Sequence, residues 1–506
     1  MSDAGPVAIR QLRSGVPGLD AVLGGGIPEY SFNLIAGAPG TGKTTLAQQI
    51  MFANATPERP AIHFTVLGEP PIKMLRYQQQ FDFFDVKRIG TDVRLVNLSE
   101  EVLQRDLDAV LDRITREIEE ANPGIVVVDS FRTVLRTHEG PAAAEMELQH
   151  FVQRLALRLT SREVTTFLVG EYTEMEARNP VFTVADGLIW MSDEVERHAT
   201  VRKLRSTKMR GQASLPGLHG FRISTRGIEV YPRHQPAHAV DEGRERGVRE
   251  RVSTGVPALD TMMGGGIPGG DSVLVSGPSG SGKTILATHF VTAGADARET
   301  ALVVVFEEHP AHYLERTKAL GFDLDGMRSA GLLDIFFLRP LDLSVDETFQ
   351  EIRERVERIG ATRVVIDSLS GFEVALAPTF RQDFRESLYR LVGALTALDI
   401  TVLSTIEMAD TRHSLHVTPY SVSFLTDDII TLRYVELDGR MQKVLSIVKM
   451  RGSEHSADLR AYRIGSRGIE LGETLSRYRG IITGVPVPRT DAPQSLFDDL
   501  PMDASD

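Results

Sequence analysis

GAPGTGKT at 37–44 and its second copy, GPSGSGKT at 277–284, decide the fold of this chain. Both fit G-x-x-x-x-G-K-[ST], a spelling with a physical cause. The glycines let the backbone curl so that successive N–H groups face phosphates, and the following helix adds its positive N-terminal end. SFNLIAG (31–37) and DSVLVSG (271–277) read as buried strands directly before each loop, and TLAQQIMFANA (45–55) and ILATHFVTAGA (285–295) as helices directly after. Strand, glycine loop and helix in that order, twice, predict two phosphate-binding loops. The expected cradle is Gly37, Pro39, Gly40, Thr41, Gly42, Lys43, Thr44 and Thr45 in the first copy. In the second it is Gly277, Ser279, Gly280, Ser281, Gly282, Lys283, Thr284 and Ile285. Lys43 and Lys283 are placed to reach the β- and γ-phosphates of ATP, and the hydroxyls of Thr44 and Thr284 to bind Mg²⁺.

The repeat extends beyond the loops. RSGVPGLDAVLGGGIPEY (13–30) matches STGVPALDTMMGGGIPGG (253–270), and Lys43 stands 240 residues before Lys283, as Gly15 does before Gly255. A register held over that distance predicts a duplicated α/β domain. Further along, AIHFTVLGEPP reaches Glu69 and ALVVVFEEHP reaches Glu307 and Glu308. Acids at strand ends in an open α/β sheet are candidate catalytic bases, because ligands bind beyond the carboxyl ends of the strands. PGIVVVDS and TRVVIDS, apolar runs closing on Asp129 and Asp367, read as the strands whose acids hold Mg²⁺ beside the phosphate loop. DLDAVLDRITREIEEA (106–121) and 345–359 read as amphipathic helices, the latter opened by Ser344 and Glu347 at capping-box spacing. Helices at 145–159 and 383–398 lead into TTFLVGEY and ITVLSTIE, so that β and α alternate and the sheet is expected to be largely parallel. Each half then reaches Lys-Met-Arg-Gly. Lys208 with Arg210, and Lys449 with Arg451, are expected on a strand with both cations on one face, available to a neighbouring subunit's γ-phosphate.

The expected fold is α/β, two tandem RecA-like P-loop domains, each a largely parallel sheet flanked by helices. The first spans 1–232 and the second 253–488, with a charged, Pro-containing linker at 233–252 and an acidic tail at 489–506 expected to be disordered. Hydrophobic residues make up 42% and charged residues 25% of the 506, as in soluble globular proteins. No apolar run approaches the roughly 20 residues of a membrane span, and the N-terminus lacks the apolar core of a signal peptide. With no cysteine, disulfides, thiolate zinc sites and cysteine nucleophiles are excluded, and a cytoplasmic location is expected. A net charge of −13 argues against a general nucleic-acid surface.

Tandem P-loop halves, Gly-Val-Pro-x-Leu-Asp and Gly-Gly-Gly-Ile-Pro ahead of each loop, Phe-Glu-Glu after the second, and a late Lys-Met-Arg-Gly in each half together resemble the KaiC family of circadian-clock proteins. TDDIITLRYVELDGRMQKVLSIVKMRGS (426–453) resembles that family's second domain in particular, and the resemblance runs from about residue 13 to about 488. It implies a double-ring homo-hexamer with ATP at the subunit interfaces, an ATPase first domain, and a second domain that phosphorylates and dephosphorylates itself. It also implies KaiB-like or signalling-protein partners. By position, Glu307 is implied as the base for phosphoryl transfer with Glu308 beside it, and Lys449 and Arg451 as the cations acting in trans. The family's phosphorylated Ser-Thr pair falls on Ser423 and Phe424, leaving Ser423 as the candidate phosphosite, with Thr418 aligned to a neighbouring threonine. In the first half Gly68 replaces the first of the family's two glutamates, so hydrolysis there must rely on Glu69 or be slow. Two other readings stay open from the residues alone. One is a RecA-like DNA-dependent ATPase. The other is an ATP-gated assembly scaffold with little turnover.

Overall fold

The computed structural model describes residues 9–65, 76–103, 106–130, 141–173, 180–196, 199–233, 250–306, 308–338, 345–375, 384–408, 426–437, 439–481 and 486–488. The chain divides into two compact units, Met1–Arg233 and His234–Asp506.

The first unit opens with the short antiparallel pair β1 (Gln11–Leu12) and β2 (Ile27–Pro28). Its main sheet has nine strands. In chain order they are β3 (Phe32–Gly37), β4 (Ala61–Thr65), β5 (Val93–Asn97), β6 (Ile125–Asp129), β7 (Thr165–Glu171), β8 (Gly187–Glu196), β9 (Ala199–Met209), β10 (His219–Ser224) and β11 (Gly227–Tyr231). Across the sheet the order is β5-β4-β6-β7-β3-β8-β9-β10-β11. The run from β5 to β8 is parallel, and β9 to β11 extend it antiparallel. The second unit repeats this plan. After the pair β12 (Arg251–Val252) and β13 (Ile267–Pro268) come β14 (Ser272–Gly277), β15 (Ala301–Val305), β16 (Leu333–Phe337), β17 (Arg363–Asp367) and β18 (Thr401–Glu407). The sheet is completed by β19 (Asp428–Leu437), β20 (Arg440–Lys449), β21 (Arg460–Gly465) and β22 (Gly468–Thr474). Their order, β16-β15-β17-β18-β14-β19-β20-β21-β22, matches the first sheet strand for strand.

Every residue of β3 and of β14 is buried. Apolar clusters cover both faces of each sheet, which explains the unbroken apolar runs where an exposed sheet would alternate. The Leu107–Ala121 helix turns Val110, Leu111, Ile114 and Ile118 inward at helical spacing. Its N-cap Asp106 accepts from the N–H of Ala109 at 2.9 Å. Its counterpart, Val345–Ile359, follows Ser344, which lies outside the described residues. Pro141–Thr160 and Phe384–Thr396 are the helices that precede β7 and β18. No described helix is long and apolar enough to cross a membrane.

Candidate nucleotide site

Each phosphate loop leaves a central parallel strand and enters a helix, from Gly37 into Lys43–Asn54 and from Gly277 into Lys283–Asp296. Gly42 and Gly282 cap those helices with φ of 97° and 101°, a conformation that side-chain-bearing residues rarely adopt. Lys43 folds back so that Nζ donates to the Ala38 carbonyl at 2.7 Å, and Lys283 Nζ donates to Gly277 and Pro278, both at 2.9 Å. Each lysine therefore lies over the concave side of its own loop. Burial holds the Lys43 ammonium below the usual lysine range, while Glu171, Asp129 and Asp193 act to keep it charged.

Asp129 emerges from β6 and its Oδ2 accepts from Thr44 Oγ1 at 2.5 Å. One hydroxyl and one carboxylate brought together beside a phosphate loop fit Mg²⁺, which takes its other ligands from phosphate and water. In the second unit Asp367 Oδ1 instead accepts from Thr405 Oγ1 at 2.5 Å, and the register puts Val169 at the place of Thr405 in the first. Asp367 and Thr284 share the wall of a cleft of about 300 Å³ with Gly280, Lys283, Arg316 and Glu407. The peptide bonds Asp129–Ser130 and Asp367–Ser368 are both cis.

Glu171 and Glu407 close β7 and β18 directly beside Gly37 and Gly277, and both are exposed. Sequence reading passed over them. The available signal was an apolar run ending on Glu at the same strand position in both halves. Also unforeseen is the bracing of the second loop by the antiparallel strands: Tyr462 donates to the Ser281 carbonyl at 2.5 Å, and Lys443 Nζ to Gly280 at 3.1 Å. Phe221 and Arg202 occupy the corresponding positions of the first half. Of the acids predicted as bases, Glu308 is described and pairs with Arg316 at 2.8 Å. Glu69 and Glu307 lie outside the described residues, as do Gly68, Thr418, Ser423 and Phe424.

The Lys-Met-Arg-Gly segments differ from expectation in one respect. Lys208 lies on β9 and Lys449 ends β20, but Arg210 and Arg451 fall in the turns beyond. The lysine and arginine therefore do not share a strand face. The pairing shifts by a residue between Leu188 and Ile189, and again between Ile429 and Ile430, a bulge just before each lysine, beyond which Lys208 and Met209 still pair with Leu188 and Gly187, and Lys449 with Ile429. Lys208 Nζ donates to the carbonyls of Thr183 (3.2 Å) and Ala185 (2.5 Å), and Lys449 Nζ to Thr426 (2.6 Å). Arg210 pairs with Asp186 at 3.0 Å and Arg451 with Asp427 at 3.7 Å. Lys208 and Lys449 lie alongside Leu188 and Ile429, and through those strands level with Leu34 and Leu274. At ~3.3 Å per residue that is roughly 10 Å back from the strand ends that carry the loops. The cations thus lie toward the opposite ends of the parallel strands from their own phosphate loops.

Two tandem RecA-like domains, each with a phosphate loop, a helix entered at the loop's lysine and a strand-end aspartate, define a P-loop nucleotide-binding protein. A family model for the KaiC ATPase matches residues 12–235 and again 252–476. The chain belongs to the KaiC family of ATPases. It is similar to the circadian clock oscillator protein KaiC 1 of Synechocystis sp., 27% identical over 94% of this chain and 92% of the relative. It is also similar to the circadian clock oscillator protein KaiC of Synechococcus elongatus, 27% identical over 95% of this chain and 92% of that relative, and to that of Prochlorococcus marinus, 26% identical over 96% and 97%.

Proposed function

We propose that this KaiC-type ATPase works as a homo-oligomeric ring, a hexamer, that hydrolyses ATP in both halves and also phosphorylates itself on Ser423 in the second, as a timer or signalling switch. The observation that carries the reading is the duplicated geometry: a phosphate loop beside a strand-end aspartate in each half, with Lys208 and Lys449 set back from their own loops. Cations so placed serve a nucleotide only across a subunit boundary, and head-to-tail contacts that close into a ring supply that neighbour. Arg210 and Arg451 would accompany them.

In the second half the attacking oxygen, from water or from Ser423, bonds to the γ-phosphorus in line. The bridging P–O bond to the β-phosphate breaks, and its electron pair leaves with ADP. Glu307 takes the proton of the attacking hydroxyl, with Glu308 beside it. In the first half Glu69 has that task alone, since Gly68 offers no carboxylate. Lys43 and Lys283 hold the β- and γ-phosphates. Mg²⁺, held by Thr44 with Asp129 and by Thr284 with Asp367, would neutralise phosphate charge. Thr418 is the second candidate acceptor. KaiB-like or signalling proteins are the expected readers of the phosphorylated state, in the cytoplasm.

The test is incubation of the purified chain with γ-labelled ATP and Mg²⁺, following released phosphate and protein-bound label together. Label lost in both Glu307→Gln and Ser423→Ala supports the autokinase. Phosphate release with no bound label removes it and leaves the ATPase. Turnover that rises on addition of DNA would favour a DNA motor. Assembly with negligible turnover would favour a scaffold.

A further inference from the structure

Arg316 occupies an unusual place in the second unit. It belongs to the Pro310–Ala319 helix and lines the cleft beside Lys283, Thr284 and Asp367, yet its guanidinium is paired with Glu308 at 2.8 Å. The helix is anchored beneath it by Tyr313, which is 1% exposed, and the guanidinium rests over that ring at 5.6 Å from its centre. The Arg316 side chain is 49% exposed, so its head can swing without unpacking the helix. With Glu69 opposite Glu308, Tyr77 stands opposite Arg316, and the first half has no cation at that position.

We propose that Arg316 is a γ-phosphate-binding residue of the second cleft that exchanges partners, held by Glu308 when the cleft is empty and moving to the γ-phosphate when ATP enters. The proposal rests on the reading of this cleft as an ATP site. A guanidinium fork matches phosphate oxygens as well as it matches a carboxylate, and the γ-phosphate offers more charge than one carboxylate in a half-exposed pair. The exchange frees Glu308, the acid next to Glu307, only when a γ-phosphate is present. ADP lacks that group and leaves the pair closed. The second site is therefore built to favour ATP over ADP by a residue whose place in the first half is taken by Tyr77.

The experiment uses the full chain carrying Lys43→Ala, so that binding reports the second cleft, with AMP-PNP and ADP as probes in the presence of Mg²⁺. Arg316→Gln is expected to weaken AMP-PNP about tenfold or more and ADP less than about threefold, the scale of one charge-assisted hydrogen bond. Arg316→Lys restores part of the AMP-PNP affinity, and Glu308→Gln, which releases the arginine beforehand, tightens AMP-PNP by about threefold. Equal losses for both nucleotides, no loss for either, or weaker AMP-PNP binding in Glu308→Gln would overturn the exchange while leaving the cleft an ATP site. If the Lys43→Ala chain binds neither nucleotide while a Lys283→Ala chain binds both, the functional reading of the second cleft fails, and this proposal with it.

Discussion

Acidification should move the stabilities of the two halves in opposite directions, because each buries a different titratable group. In the second unit Asp428 is 0% exposed, and burial, followed by the charges of Asp271 and Asp427, pushes its carboxyl from an ordinary 3.8 up to about 7. The backbone N–H of Arg451 and the charge of Arg251 pull the other way without prevailing. Between those values the folded state holds a proton that the unfolded chain has released. Stability from this group is full below about pH 4 and is lost as pH rises through 7. In the first unit His63 is 0% exposed, and burial holds its imidazole down from 6.5 to about 4. The unfolded chain then takes up the proton first, so that stability is full above pH 6.5 and is lost as pH falls through 4. At about 1.4 kcal/mol per pH unit, going from pH 8 to 5.5 stabilises the second unit by ~2 kcal/mol and destabilises the first by ~1 kcal/mol. In domains of this size those changes move the midpoints by roughly 4–8 °C upward and 2–4 °C downward. Gly187 stands in the first half where Asp428 stands in the second, and Val303 stands in the second where His63 stands in the first. His219, which burial also holds below the usual histidine range, adds to His63 in the first unit, and His289, held down in the same way, offsets part of the Asp428 effect in the second. Calorimetry across this range separates the two transitions, and fluorescence of Trp190, the sole tryptophan, labels the first. Asp428→Asn keeps an oxygen acceptor and should flatten the upward shift. If both transitions moved the same way, or Asp428→Asn behaved as the parent chain does, the assignment of these groups would be wrong.

Two further outcomes are expected at the sites. A ring of Lys449→Ala chains and a ring of Lys283→Ala chains should each lack second-half turnover, but chains mixed before assembly should recover roughly a quarter of it, the fraction of random boundaries joining an intact loop to an intact cation. Co-assembly without recovery would show that Lys449 does not act across the boundary. Tyr462→Phe removes the hydroxyl that braces Ser281 and should cost ~1 kcal/mol, raising the second-site KM for ATP severalfold with little change in kcat. A fall in kcat alone would place Tyr462 in the chemical step.

The phosphate loops, the strand-end aspartates and the two α/β units were readable because their chemistry forces particular residues to fixed spacings. Buried parallel strands also announce themselves as unbroken apolar runs. Features set by strand neighbours were not readable. Gly277 meets Glu407 only because β14 pairs with β18, and Tyr462 meets Ser281 only because β21 folds back toward the loop. The bulges just before Lys208 and Lys449, and the strand ends that leave Arg210 and Arg451 in turns, left no mark in the sequence, which reads as one continuous strand. The Glu308–Arg316 pair depends on the angle at which a helix leaves a strand end, and spacing alone does not set that angle.

The most direct measurement is the amount of ATP retained per chain, quantified after rapid desalting in Mg²⁺, for the parent, Lys43→Ala, Lys283→Ala and the double substitution. Two functioning phosphate loops predict two nucleotides, one, one and none. A parent chain that holds a single nucleotide, released by one substitution and untouched by the other, would be incompatible with two working sites.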